Sequence, residues 1–121
     1  MLFKDTFYTI HSTKEENDTF IFSIELNKDH SIFKGHFPGN PVTPGVAQME
    51  IIKELVQISQ EKELSLVSMP SCKFLAILNP EKNAVIDVVL KFSSTEDEHI
   101  KMNAIIKDEQ TSYLKMSGFY A

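Results

Sequence analysis

A histidine in a rigid loop, a helix start and a carboxyl group on that helix are the residues of this chain whose types and spacing could do chemistry. His36 lies in Phe33-Lys34-Gly35-His36-Phe37-Pro38-Gly39-Asn40-Pro41-Val42-Thr43-Pro44-Gly45-Val46, a stretch that holds three of the four glycines and three of the five prolines. That density restricts the backbone and keeps regular structure out until the stretch ends. Thr43-Pro44 marks the end. Threonine is a favoured N-cap and proline a favoured first helical residue, so the helix is expected to begin at Pro44. The amides of Gly45 and Val46 then fall in the first turn without intrahelical acceptors, where they can hold an anion or a polarised carbonyl oxygen. Glu50 follows His36 by fourteen positions, about one and a half turns into the helix. An imidazole, bare amides and a carboxyl group so arranged suit proton transfer beside a carbonyl.

The same residues admit a structural reading. A Gly/Pro-rich loop before a helix needs no further purpose, and a histidine within it can be solvated. On a helical wheel Glu50 shares a polar face with Lys53, Glu54 and Gln57, opposite Ala47, Met49, Ile51, Ile52, Leu55, Val56 and Ile58. Spacing and composition leave both readings open.

The elements that must position these residues can be read around them. Residues 7–12 and 19–26 are rich in β-formers and flank the charged turn Lys14-Glu15-Glu16-Asn17-Asp18, as in a hairpin. The helix is expected to run from Pro44 to Gln60, closed by Glu61-Lys62-Glu63. Its apolar arc spans roughly 200°, which calls for sheet wrapped around most of the helix. Residues 64–78, 84–93, 100–107 and 111–120 read as strands separated by polar turns. Two strands, one long helix and four strands without βαβ alternation describe an α+β domain with a largely antiparallel sheet. His11 and His30 are expected as surface or strand residues, His99 as solvated in an acidic turn, and Cys72 as a small apolar strand residue. None joins a metal-like cluster, so no metal or other cofactor is expected.

At 121 residues the chain makes one domain, residues 1–121, with 42% apolar and 24% charged residues. A net charge of −5, with all twelve basic residues lysine and none arginine, argues against nucleic-acid recognition. One cysteine excludes an internal disulfide and fits a reducing compartment. No stretch reaches the ~20 apolar residues that span a bilayer, and Met1 to Thr6 resemble no leader, so the chain is expected to be cytoplasmic and not membrane-bound.

His36-Phe37-Pro38-Gly39-Asn40-Pro41-Val42-Thr43-Pro44-Gly45-Val46, followed by Glu50, resembles the central signature of the hot-dog-fold 3-hydroxyacyl-(acyl carrier protein) dehydratases of the FabZ/FabA type. The match keeps the histidine, both Pro-Gly pairs, the intervening proline and the acidic residue at the family's spacing. Lys73-Phe74 and Asn79-Pro80 resemble a later strand and turn of that family, with Glu81-Lys82 in place of its usual Gly-Asp. The resemblance implies a single hot-dog domain, an antiparallel sheet wrapped around one long central helix. It implies dehydration of a (3R)-hydroxyacyl thioester to the trans-2-enoyl thioester, in fatty-acid-like or specialised polyene or lipid biosynthesis. In that reading His36 removes the α-proton, Glu50 handles the leaving hydroxyl, and Gly45 and Val46 polarise the thioester carbonyl within a binding loop that includes Phe37 and Gly39. It also implies a site at a homodimer interface, or in a higher homo-oligomer, and an acyl carrier protein as partner. Lys34, Lys53, Lys73 and Lys82 are the candidates for a basic patch that would meet an acidic carrier. A hot-dog thioesterase and a non-catalytic subunit of a dehydratase complex are the alternatives.

Overall fold

The structure, a computed structural model, describes residues 2–34, 41–95 and 97–121. Six strands and one α-helix are found among them: β1 (Tyr8–Glu16), β2 (Thr19–Leu26), α1 (Gly45–Gln60), β3 (Leu66–Phe74), β4 (Val85–Ser94), β5 (Ile100–Lys107) and β6 (Ser112–Tyr120), with a short 3-10 turn at Ser31–Phe33. The strands form one antiparallel sheet in the order β1-β2-β4-β5-β6-β3.

The period-two patterns of the central strands determine which sheet face meets the helix. Ile86, Val88 and Leu90 of β4, Met102, Ala104 and Ile106 of β5, and Leu114 and Met116 of β6 are all buried at alternate positions. They belong to the same core cluster as Ile51, Ile52, Leu55 and Val56 of α1, each 0% exposed. A helix buried on so wide an arc is one that the sheet wraps, as its sequence pattern requires.

The helix ends are set by local chemistry. Pro44 (φ −59°, ψ 147°) is itself the N-cap, and its carbonyl accepts from the amides of Ala47 and Gln48 at 3.1 Å each. The expected start was one residue early: Thr43 makes no side-chain cap, its own N–H being donated to the Leu78 carbonyl (2.9 Å) and its side chain buried. At the other end Glu61 adopts the left-handed conformation (φ 56°) and donates its N–H to the Gln57 carbonyl, which closes the helix as Glu61-Lys62-Glu63 suggested.

Three local expectations change. The β1–β2 turn is only Asn17-Asp18, with Asn17 at φ 56°, so Lys14, Glu15 and Glu16 continue the strand. His30 is half-buried and caps the 3-10 turn: its Nδ1 accepts the Ile32 amide (3.1 Å), and its ring stands edge-on to Phe7 with centroids 5.1 Å apart. Glu54, placed by the helical wheel on the polar face, is 1% exposed. The remaining strands lie where the patterns put them, β3 being shorter at both ends, Leu66–Phe74 against the expected 64–78.

β3 is an edge strand, paired through β6 alone among the described strands, and its register is broken between Leu66 and Ser71. It and the segment after it expose Leu66, Val67, Met69, Phe74, Leu75 and Ile77. No helix among the described residues is long and apolar enough to cross a membrane.

The α1 packing predicts a clear stability effect. Leu55→Ala should cost about 2–5 kcal/mol, read as a lower urea midpoint with an unchanged slope.

Candidate active site

Thr43 is held to the segment after β3 through the Leu78 carbonyl, and the Gln48 side-chain amide donates to the Thr43 carbonyl at 3.1 Å. These bonds fix how the loop enters α1. Beyond Pro44 the amides of Gly45 and Val46 have no acceptor among the described residues, and Val46 is 77% exposed. The first turn of α1 carries no acidic side chain, so nothing on the helix itself neutralises its positive end.

Gly45 is required by a neighbour that sequence reading did not supply. The Phe74 ring of β3 lies against it, and a Cβ at position 45 would stand 2.6 Å from the ring's Cζ. The two parts of the resemblance, Pro44-Gly45 and Lys73-Phe74, thus meet in space.

Glu50 opens onto a groove of about 200 Å³ between α1 and the β3–β6 pair, lined by Val46, Met49, Leu66, Met116 and Tyr120. Its side chain is 28% exposed, and one oxygen lies 3.8 Å from Lys53 Nζ. Burial raises its pKa above the ordinary carboxylate range, the Glu54 carboxyl one turn on raises it further, and Lys53 opposes both. The Tyr120 hydroxyl is pushed up to about 12, by burial first and then by the Glu50 charge. The wheel put Glu50 on the polar face, and at 28% exposure it is only partly solvated. Only the strands packed beside it turn that face into a groove.

His36, Phe37 and Gly39 lie outside the described residues. Of the candidate basic residues, Lys53 borders the groove, whereas Lys34, Lys73 and Lys82 are exposed on three other parts of the fold: the end of the 3-10 turn, β3 and the turn before β4. Among the described residues no cluster of three His, Cys, Asp or Glu side chains could hold a metal ion. A larger depression of about 400 Å³ beside Asn83, Asp87, Asp108 and Gln110 contains none of the expected site residues. There the Tyr113 hydroxyl donates to Asp108 and accepts from Asn83, which ties the β5–β6 turn to the start of β4.

A groove with an apolar lining, a protonatable carboxyl group and free helix-start amides can bind an acyl chain and move a proton beside its carbonyl. Comparison with known proteins agrees. The profile of the ApeI-like family, described as ApeI dehydratase, matches residues 12–115. The chain is 34% identical to the 3-hydroxyacyl-(acyl-carrier-protein) dehydratase FabZ of Rickettsia canadensis, over 74% of this chain and 85% of that protein. It is 35% identical to the FabZ of Rickettsia massiliae over 64% and 68%. Among solved structures it resembles the dehydratase heterocomplex ApeI:P from Xenorhabdus doucetiae, with a TM-score of 0.73 and 21% identity over 93% of this chain and 96% of that one. A thioesterase from Pseudomonas aeruginosa gives a TM-score of 0.67 with 10% identity, over 94% and 79%. These likenesses establish the hot-dog fold, in which the sheet wraps the long helix.

Two measurements test the geometry. A carboxyl group whose folded pKa is raised binds its proton more tightly in the folded state, so its stabilising contribution is complete below the unfolded pKa and is lost as pH rises through the folded one. Glu50→Gln should therefore raise Tm at pH 8 and leave it nearly unchanged at pH 4, as followed by calorimetry. Gly45→Ala should destabilise by about 1–3 kcal/mol. Most of that loss should vanish in a Phe74→Ala background, a coupling that a double-mutant cycle in urea will show.

Proposed function

The chain belongs to the ApeI-like dehydratase family, and on that premise we propose that it eliminates water from a (3R)-hydroxyacyl thioester carried on acyl carrier protein, giving the trans-2-enoyl thioester. The observation that carries this reading is Glu50 with its raised pKa, facing an apolar groove within a helix turn or two of unpaired helix-start amides.

In the proposed reaction His36 takes the C2 proton, and the charge that develops on the thioester oxygen is held by the Gly45 amide, with Val46 beside it. The C2–H electron pair becomes the new C2–C3 π bond as the C3–O bond breaks. Protonated Glu50 supplies the proton with which the hydroxyl leaves as water. A carboxyl group kept neutral by partial burial can do this at a pH where an ordinary glutamate cannot.

The proposed assembly is a homodimer formed along β3. An edge strand with free backbone groups and exposed Val67, Met69 and Phe74 is suited to pairing with a second copy, which would also close the open side of the groove beside Val46 and Leu66. Lys34, Lys53, Lys73 and Lys82 remain the proposed contacts for an acidic carrier, with Lys53 best placed because it borders the groove. A cytoplasmic location accords with this partner.

Mass spectrometry of a 3-hydroxyacyl carrier protein incubated with the purified chain tests the proposal directly. The acyl group should lose one water, and His36→Ala or Glu50→Gln should slow that loss by about 10²–10⁴. An unchanged substrate overturns self-sufficient catalysis and points to a subunit that needs a partner. Release of free carrier with a hydroxy acid points instead to a thioesterase.

A further inference from the structure

α1 begins without a capping side chain. A Ser, Thr, Asp or Asn at the N-cap accepts a hydrogen bond from the second or third amide of its helix, whereas the N-cap here is Pro44, which makes no side-chain bond. Those two amides belong to Val46 and Ala47, so an ordinary cap would compete for one that the proposed reaction uses.

Gln48, one turn further in and 3% exposed, holds the helix start instead. Its Nε2 donates to the Thr43 carbonyl at 3.1 Å, and its backbone N–H donates to the Pro44 carbonyl at 3.1 Å. One residue thus holds two consecutive peptide planes, those on either side of Pro44, whose ring restricts the φ between them (−59°). The second of these planes contains the Gly45 N–H. From the other side the Leu78 carbonyl accepts the Thr43 N–H at 2.9 Å, so the plane before Thr43 is held as well.

This arrangement has a cost. Among the described residues, Gln48 Oε1 and Thr43 Oγ1 are buried side-chain oxygens with no hydrogen-bond partner. Burying an unpaired amide oxygen is unfavourable, and Gln48 lies next to Ala47 and one turn from Ile51 and Ile52, all within the apolar core. Methionine has nearly the length and shape of glutamine and no such oxygen. A glutamine kept there serves the bond that its other amide atom makes.

We propose that Gln48 is a positioning residue for the dehydration: by holding the peptides on either side of Pro44 it aims the Gly45 and Val46 amides at the thioester oxygen and leaves both without a capping acceptor. It touches no reacting atom. Because Gln48 stands two residues before Glu50 on one rigid helix, the amides and the carboxyl group keep a single relative placement. This role rests on the dehydratase reading, but the hold on the two amides does not.

Gln48→Met in the full chain removes the donor and the unpaired oxygen together. The urea midpoint should stay near the wild-type value, while kcat falls about 10–100-fold with KM unchanged. Gln48→Glu keeps the length, and burial keeps its carboxyl group protonated, so its O–H can donate to the Thr43 carbonyl and should recover most of the lost kcat at pH 6. In the substrate-free chain the Gly45 and Val46 amide signals, followed by nitrogen-15 NMR, should shift in Gln48→Met and return in Gln48→Glu, with the Leu55 signal unmoved. Unchanged kcat and unmoved Gly45 and Val46 signals in Gln48→Met would overturn the proposal. So would loss of folding in that variant, or a Gln48→Glu chain as slow as Gln48→Met, because Gln48 would then serve packing alone. Signals that move and return as expected in a chain that dehydrates nothing would uphold the positioning and overturn the proposed function instead.

Discussion

The burial of α1 beneath a single antiparallel sheet is the constraint on which the other features depend. Ile51, Ile52, Leu55 and Val56 lose all contact with solvent, and the strands that cover them present Val88, Leu90, Ala104, Ile106 and Leu114 in return. Once that face is fixed, the rest of the helix has no rotational freedom. Its first turn must emerge beside β3, where Phe74 meets Gly45, and Glu50 must look out between α1 and the β3–β6 pair. The apolar burial that stabilises the fold also aims the chemistry.

The site sets function against stability within a few residues. A helix start with no acidic residue forgoes a favourable interaction with its own dipole, and a raised carboxyl pKa means that ionising Glu50 at neutral pH costs folding free energy. Both are tolerable because the core beneath them is extensive. Glu54 shows how a carboxyl group can be buried: two amides and a hydroxyl donate to it, and in doing so they attach the N-terminal segment to the helix.

The sheet's two ends differ in kind. β1 carries charged and hydroxyl side chains along its outer half, with a bulge at His11 whose Nε2 lies 2.9 Å from Glu25. β3 instead exposes large apolar side chains on a strand whose far side has no partner among the described strands. An edge protected by charge and an edge left apolar have different fates in solution. The apolar one adjoins the groove at Leu66.

Much of this was legible in the chain itself. The alternation in residues 84–93, 100–107 and 111–120 and the 3.6-residue period after Pro44 determined the order and type of the elements, because burial on one face imposes those periods. The run from His36 to Val46 with Glu50 identified the family and nominated the chemistry. Boundaries were less legible: Thr43 reads as a cap, but its amide is committed to Leu78, a partner 35 positions away. Glu54 shows the limit most plainly. A helical wheel counts only the neighbours that a helix supplies to itself, so it sends a glutamate beside Lys53 to the solvent. Whether that carboxylate is solvated or buried depended on donors from residues 3, 4 and 8, about fifty positions distant, and only the folded chain brings these within 2.9 Å.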